Sequence, residues 1–189
     1  MKHPPEFCSH CGSRLSPAGW GGPRMCNGCG ACHHCGPALL VLVLVFARER
    51  LLLQKRGVEP YRGSWAPPGG FVEWGESLEA AAIREVWEEV RVKLTGTQLL
   101  PHGVVSVPKI NQVYHIFIAR LEQPVPAAVV RPESLEVGWF SYDELTKLNI
   151  WEPGVSLDMR VLFEGIRLNR RDFYQQNEHF SRLLNESNS

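Results

Sequence analysis

Glu85, Glu88 and Glu89, within the stretch GGFVEWGESLEAAAIREVWEEV from Gly69 to Val90, stand at i, i+3 and i+4. On a helix their carboxylates share one face, where like charges cost roughly 0.2–0.5 kcal/mol per pair. A divalent cation turns that repulsion into attraction, and Mg²⁺, or Mn²⁺ by the same donor type, takes oxygen ligands. Arg84 adjoins the three glutamates. Gly69 and Gly70 lie upstream, and a residue without a side chain lets main chain approach metal and phosphate closely. Such a set suits a diphosphate, because cations neutralise phosphoryl oxygens and acidify bound water. A solvated acidic helix face uses the same residue types. The common register of glycines, arginine and glutamates favours the metal.

A second constellation lies at the N-terminus. All six cysteines fall between Cys8 and Cys35, and Cys8-x2-Cys11 with Cys26-x2-Cys29 has the spacing of two zinc knuckles. Four thiolates give a closed tetrahedral Zn²⁺ site, structural rather than catalytic. The run CNGCGACHHC also evokes the iron–sulfur pattern C-x2-C-x2-C-x3-C-P. Its last gap here is two, Pro37 comes two residues after Cys35, and one cluster would strand Cys8 and Cys11. Zinc is the preferred reading, through Cys8, Cys11, Cys26 and Cys29, with His10, His33 and His34 as bystanders or one of them in place of a thiolate.

These residues need elements to hold them. Residues 1–36 are rich in Cys, Gly and Pro, have almost no hydrophobic periodicity, and require a metal to fold. ALLVLVLVF (Ala38 to Phe46) and LLLQKR predict a strand pair joined by a polar turn. GVEPYRGSWAPPGG reads as a loop without regular structure. Ser77 is the expected N-cap of a helix to about Val90, with Ala82, Ile83, Val86 and Val90 as its apolar stripe. GVVSVP, NQVYHIFIARL and EVGWF read as strands, and SYDELTKL begins a helix capped by Ser141. Val155, Met159, Leu162, Phe163 and Ile166 mark a last amphipathic helix, followed by a polar tail. The expected organisation is α+β: a ribbon at 1–36, one domain at 37–174, and a tail at 175–189.

Composition narrows the partners. Lys+Arg and Asp+Glu are 20 each, so net charge gives no general case for nucleic acid or anionic membrane. The nine-residue apolar run is about half of what a bilayer span needs. MKHPPEF has no apolar h-region, so no secretory signal is expected and the default location is cytoplasmic.

Gly70, five residues, Glu76, seven residues and then REVWEE resemble the Nudix box, GX5EX7REUXEEXGU, with Val86 and Val92 at aliphatic U positions. Arg91 stands where the box has its second glycine, which normally permits a left-handed helix exit. The resemblance covers roughly Ala38 to Phe163. It implies a mixed sheet sandwiched between helices, with the box as loop–helix–loop. It also implies Glu85, Glu88, Glu89 and the Gly69 carbonyl as Mg²⁺ ligands. Arg84 would orient the glutamates, and Glu76 would support the loop and touch metal through water. Glu133 and Glu136 are candidates for the base, with Glu85 or Glu88 otherwise.

With the cysteine module ahead of it, the chain resembles bacterial zinc-ribbon Nudix hydrolases, related to NADH pyrophosphatases and plant FAD pyrophosphatases. The signature SQPWPFPxS of NADH pyrophosphatases is absent, which directs the expectation away from NADH. The implied activity is Mg²⁺-dependent cleavage of a small-molecule nucleotide, FAD or an ADP-ribose-like dinucleotide, to AMP and a phosphate monoester. Trp65, Tyr61, Phe71, Trp74 and Tyr114 are candidates to stack a base, with core packing the commoner fate for Trp65 and Phe71. Arg62 or Lys109 could hold phosphate, and Gln112 a base edge. By analogy the protein is a possible homodimer. The rival expectation is an inactive Nudix-fold nucleotide sensor whose ribbon binds nucleic acid or a protein. Lys2, Arg14 and Arg24 against Glu6 make a poor phosphate track.

Overall fold

The computed structural model describes residues 6–17, 24–34, 36–129 and 133–151. The expected last helix and tail lie outside them.

The N-terminal module contains one two-stranded antiparallel sheet, β1 (Arg24–Met25) with β2 (Cys32–His33). Its few apolar contacts gather around Cys8, Leu15 and Cys26. The main body is a seven-stranded mixed sheet built from β3 (Ala38–Ala47), β4 (Arg50–Arg56), β5 (Trp65–Ala66), β6 (Gly69–Phe71), β7 (Leu99–Val107), β8 (Gln112–Leu121) and β9 (Ser134–Phe140). β3 runs parallel to β8, and every other pairing is antiparallel.

The alternation of Leu and Val along β3 sorts its side chains between two cores. Leu40, Leu42, Leu44 and Phe46 join Trp65, Tyr114, Ile116 and Trp151 on one face. Val41, Val43 and Val45 join Leu52, Phe117 and Ala119 on the other, against the helix residues Ala81, Ala82, Val86 and Val90. Burial of each such side chain contributes roughly 1.5–3 kcal/mol, so the apolar run fits a central strand covered on both faces.

α1 spans Leu78–Val90, and the Ser77 side chain accepts from Ala80 N at 3.1 Å. Ala81 is buried as well as the expected stripe, while Ile83 is only partly buried. The helix does not run on past its box. Arg91 adopts the left-handed conformation (φ 58°, ψ 24°), and its N–H bonds Trp87 O. That backbone costs a non-glycine residue about 1–2 kcal/mol. The Arg91 guanidinium stacks 4.8 Å from the Trp87 ring centroid, which offsets part of it.

Three elements differ from the sequence-based bounds. The Gly/Pro-rich loop contains β5 and runs into β6, because tertiary pairing overrides local propensity: β6 docks on Leu40–Leu42 of β3. At Gly69 a Cβ would lie 2.2 Å from Val41 O, so only glycine permits this docking. β9 begins at Ser134 rather than Glu136, and the second helix, α2 (Tyr142–Leu145), is a single turn with Ser141 in a capping box. No helix among the described residues is long and apolar enough to cross a membrane.

Candidate active site

Box loop and α1 bring three carboxylates together around one guanidinium. Arg84 Nε donates to Glu76 Oε1 at 2.8 Å and Nη2 donates to Glu76 Oε2 at 2.9 Å, a bidentate pair. Nη1 donates to Glu85 Oε1 at 2.7 Å and to Glu88 Oε2 at 3.3 Å, while Nη2 also donates to Phe71 O. The guanidinium holds Glu76 down to about 2, and the surrounding carboxylates raise the pKa of Arg84 itself. One cation therefore aligns three glutamates and ties the loop to the helix.

Glu89 is set apart. Its Oε2 accepts from Gly69 N at 2.9 Å and from the Gln54 amide. Burial pushes it up to about 8, helped by the negative charge of Glu85 and opposed by these two bonds and by Arg56. A carboxylate so shifted, with no cationic side chain bonded to it, fits a candidate cation ligand. At Gly70 a Cβ would lie 2.5 Å from Glu85 Oε1, so the glycine clears the space this carboxylate occupies. These donors fit a divalent cation: oxygen only, clustered, and in excess of the positive charge present.

The structure separates the candidate bases. Glu136 stands opposite Lys55 in the β4–β9 register and pairs with it at 2.6 Å. Lys55 and Gln54 are adjacent on β4 and point to opposite faces. Glu136 is therefore on the face away from the Gln54–Glu89 contact. Glu133 is an exposed turn residue whose carbonyl accepts from Gly57 N at 2.5 Å. Among the aromatic candidates, Trp65 is buried edge-on to Phe140 at 4.7 Å between centroids. Tyr114 is also buried, edge-on to Trp151, and its hydroxyl donates to Gln112 Oε1 at 2.6 Å. Gln112 thus already serves a neighbour. Tyr61, Arg62, Phe71, Trp74 and Lys109 are exposed. Sequence reading missed Gln54, buried at the end of an apolar run; a lone amide after Leu51, Leu52 and Leu53 was the available signal.

In the ribbon, ligand atoms of Cys8, Cys11, Cys26 and Cys29 all lie within 4.8 Å of one another, the one such group among the described residues. Cys8 Sγ is 3.7 Å from Cys29 Sγ, and Cys11 Sγ is 3.4 Å from Cys26 Sγ. A tetrahedral Zn²⁺ with bonds near 2.3 Å would set such edges at about 3.8 Å. Backbone N–H groups of His10, Gly28 and Cys29 donate to Cys8 or Cys26 sulfur at 3.3 Å. Hydrogen bonds from Ser13 bring Cys11 down to about 6, whereas Cys29, against the lowering effect of the Ala31 backbone bond, is pushed up to about 12 by bonds shared with Cys11, Cys26 and Cys8 and by burial. Cys32 stands outside the group, 3.8 Å from His34 Nε2, and Cys35 lies outside the described residues. Of the three histidines, His33 is the one beside the sulfurs, its Nε2 3.2 Å from Cys8 Sγ.

A family model, the NUDIX domain, matches residues 36–158. The chain belongs to the Nudix family. The NAD-capped RNA hydrolase NudC of Chromobacterium violaceum is 32% identical over 170 residues, covering 87% of this chain and 58% of that protein. The chain thus spans less than two thirds of the length of such curated relatives. The crystal structure of a NUDIX hydrolase from Nitrosomonas europaea matches with a TM-score of 0.71 and 30% identity, covering 86% of this chain and 93% of that one. The NUDIX domain of Shewanella oneidensis NrtR, solved with ADP ribose, shares the fold at a TM-score of 0.60 and 20% identity, covering 71% of this chain and 88% of that one.

Proposed function

We propose that the protein is a Mg²⁺- or Mn²⁺-dependent Nudix pyrophosphohydrolase acting on a nucleoside diphosphate linked to another group. Three glutamates organised around Arg84, a fourth held by Gln54 and the Gly69 N–H, and glycines clearing the approach are the observation that carries this reading. Glu85, Glu88 and Glu89 would hold the cation, together with the Gly69 carbonyl and, through water, Glu76. Bound there, the cation neutralises phosphoryl oxygens and acidifies water.

The chain's own contribution is to fix those carboxylates before substrate arrives, which removes reorganisation from the reaction. Water adds to one phosphorus, the P–O–P bridge breaks, and the water proton passes to a carboxylate. Glu85 or Glu88 is the better placed acceptor, because Glu136 lies opposite Lys55 on the face of the sheet away from the Gln54–Glu89 contact. AMP and a phosphate monoester leave. The four-cysteine group is proposed to hold structural Zn²⁺, and the ribbon (1–36), Nudix domain (37–174) and tail (175–189) are proposed as the chain's units.

FAD and ADP-ribose-like dinucleotides are the proposed substrates. A second reading, NAD-capped RNA, draws on the likeness to the Chromobacterium NAD-capped RNA hydrolase. Purified protein is to be assayed with Mg²⁺ on FAD, ADP-ribose, NADH and a 5′-NAD-capped transcript, scoring AMP or the freed 5′ end. Release from FAD or ADP-ribose is expected. Turnover of the capped transcript alone would transfer the assignment to RNA, and release from none of the four would overturn the enzyme reading.

A further inference from the structure

Glu89 is held by a buried polar chain that reaches beyond the box. Gln54 Nε2 donates to Glu89 Oε2, and Gln54 Oε1 accepts from the Ser134 hydroxyl. Both Gln54 and Ser134 are more than nine-tenths buried. An amide buried this deeply must satisfy both its ends, and here it does so with one carboxylate and one hydroxyl.

The strand register shows how Ser134 gets there. Leu51 to Lys55 pair residue for residue with Phe140 to Glu136, but Arg56 pairs with Ser134, skipping Leu135. The extra residue is a β-bulge. Without it Leu135 would share a face with Gln54; with it that place goes to Ser134, and Leu135 turns out to solvent. The bulge therefore delivers a hydroxyl to the rear of Gln54.

Two N–H groups, from Gln54 and Gly69, converge on the same oxygen of Glu89. Among the described residues Oε1 accepts no hydrogen bond. The donors are neutral, unlike the guanidinium that Glu76, Glu85 and Glu88 share, so no cationic side chain bonded to Glu89 competes with a metal ion for its oxygen.

We propose that Gln54 and Ser134 are positioning residues that orient Glu89 as a cation ligand through Oε1 alone. This rests on the metal reading of the box. Gln54 locks the carboxylate plane, Ser134 locks the Gln54 amide so that its nitrogen faces Glu89, and the bulge at Leu135 fixes Ser134. Loss of such outer partners typically lowers metal affinity about 10–100-fold.

The test uses zinc-replete full-length protein and Mn²⁺ alone, without substrate, with affinity read by paramagnetic resonance. Gln54→Leu is expected to weaken binding about 10–100-fold, and Ser134→Ala about 3–10-fold, because the amide then turns freely. Ser134→Thr, which keeps the hydroxyl, is expected to stay within twofold of wild type. In turnover, the Mn²⁺ concentration for half-maximal rate should rise in Ser134→Ala while the rate at saturating Mn²⁺ stays within about threefold; a purely structural defect would lower both. Mn²⁺ affinities within twofold of wild type in folded Ser134→Ala and Gln54→Leu would overturn the proposal. A wild type whose Mn²⁺ affinity is unchanged by Glu88→Gln would instead overturn the metal reading beneath it.

Discussion

The sulfurs of the ribbon and the carboxylates of α1 are both gathered ligand sets, but they are gathered differently. Four cysteines, from two pairs fifteen residues apart in sequence, have sulfurs within 4.8 Å of one another and main-chain N–H groups donating to two of them. Their module has little else to hold it, with a core of Cys8, Leu15 and Cys26 and a partly buried Ala31. Glu85, Glu88 and Glu89 ride on a helix already fixed against one core, with Glu76 on the loop before it, and all four are kept in place by protein donors: a shared guanidinium for three, two neutral N–H groups for Glu89. In the ribbon the metal would make the fold; at the helix the fold would make the proposed metal site. A closed sulfur set protects its ion, whereas carboxylates with an oxygen to spare can share theirs with substrate and water.

The largest effect that separates the two regions should follow Cys11→Ser. Structural zinc in such modules is worth roughly 10 kcal/mol or more, so the variant should lose stoichiometric zinc while the circular dichroism of the main sheet persists. Full zinc occupancy in the variant would break the contrast. Next is Arg84→Lys, which replaces a fork reaching three carboxylates with a point charge. Turnover is expected to fall about 10–100-fold with zinc content unchanged, and zinc loss here would show the regions to be coupled.

A smaller effect concerns pH. Burial raises Glu89 to about 8 in the metal-free protein, above its value in the unfolded chain. Between those values the folded state holds a proton that the unfolded state has released, so this group's contribution to stability is lost as pH rises towards 8. Urea unfolding of Mg²⁺-free protein from pH 5 to 9 should show a decline on the order of 4 kcal/mol, about 1.4 kcal/mol for each pH unit up to 8, that Glu89→Gln abolishes. An equal decline in the variant would assign it elsewhere. The smallest effect lies at the helix exit. Arg91→Gly should be about 1 kcal/mol more stable than Arg91→Ala, because only glycine takes the left-handed backbone without penalty. Equal melting temperatures would remove that strain from the account.

Much of this was legible in sequence, for local reasons. Ser77 caps α1 because a hydroxyl before an amphipathic run satisfies a free N–H, and the Leu/Val alternation of β3 reads out as two cores. The CxxC spacing anticipated which four sulfurs converge. Non-local pairing hid the rest. Nothing near Glu136 in the chain announces that Lys55 will face it, nor does anything near Ser134 announce Gln54; both follow from the β4–β9 register and its bulge. The strands within the Gly/Pro-rich loop were hidden likewise, since β6 exists only because β3 is there to receive it.

The most direct test of the central claim is AMP release from ADP-ribose or FAD by wild type and Glu88→Gln side by side, at saturating Mg²⁺ and equal zinc content. The account predicts a loss of at least about 100-fold in the variant through removal of one cation ligand. Turnover within a few-fold of wild type would contradict it.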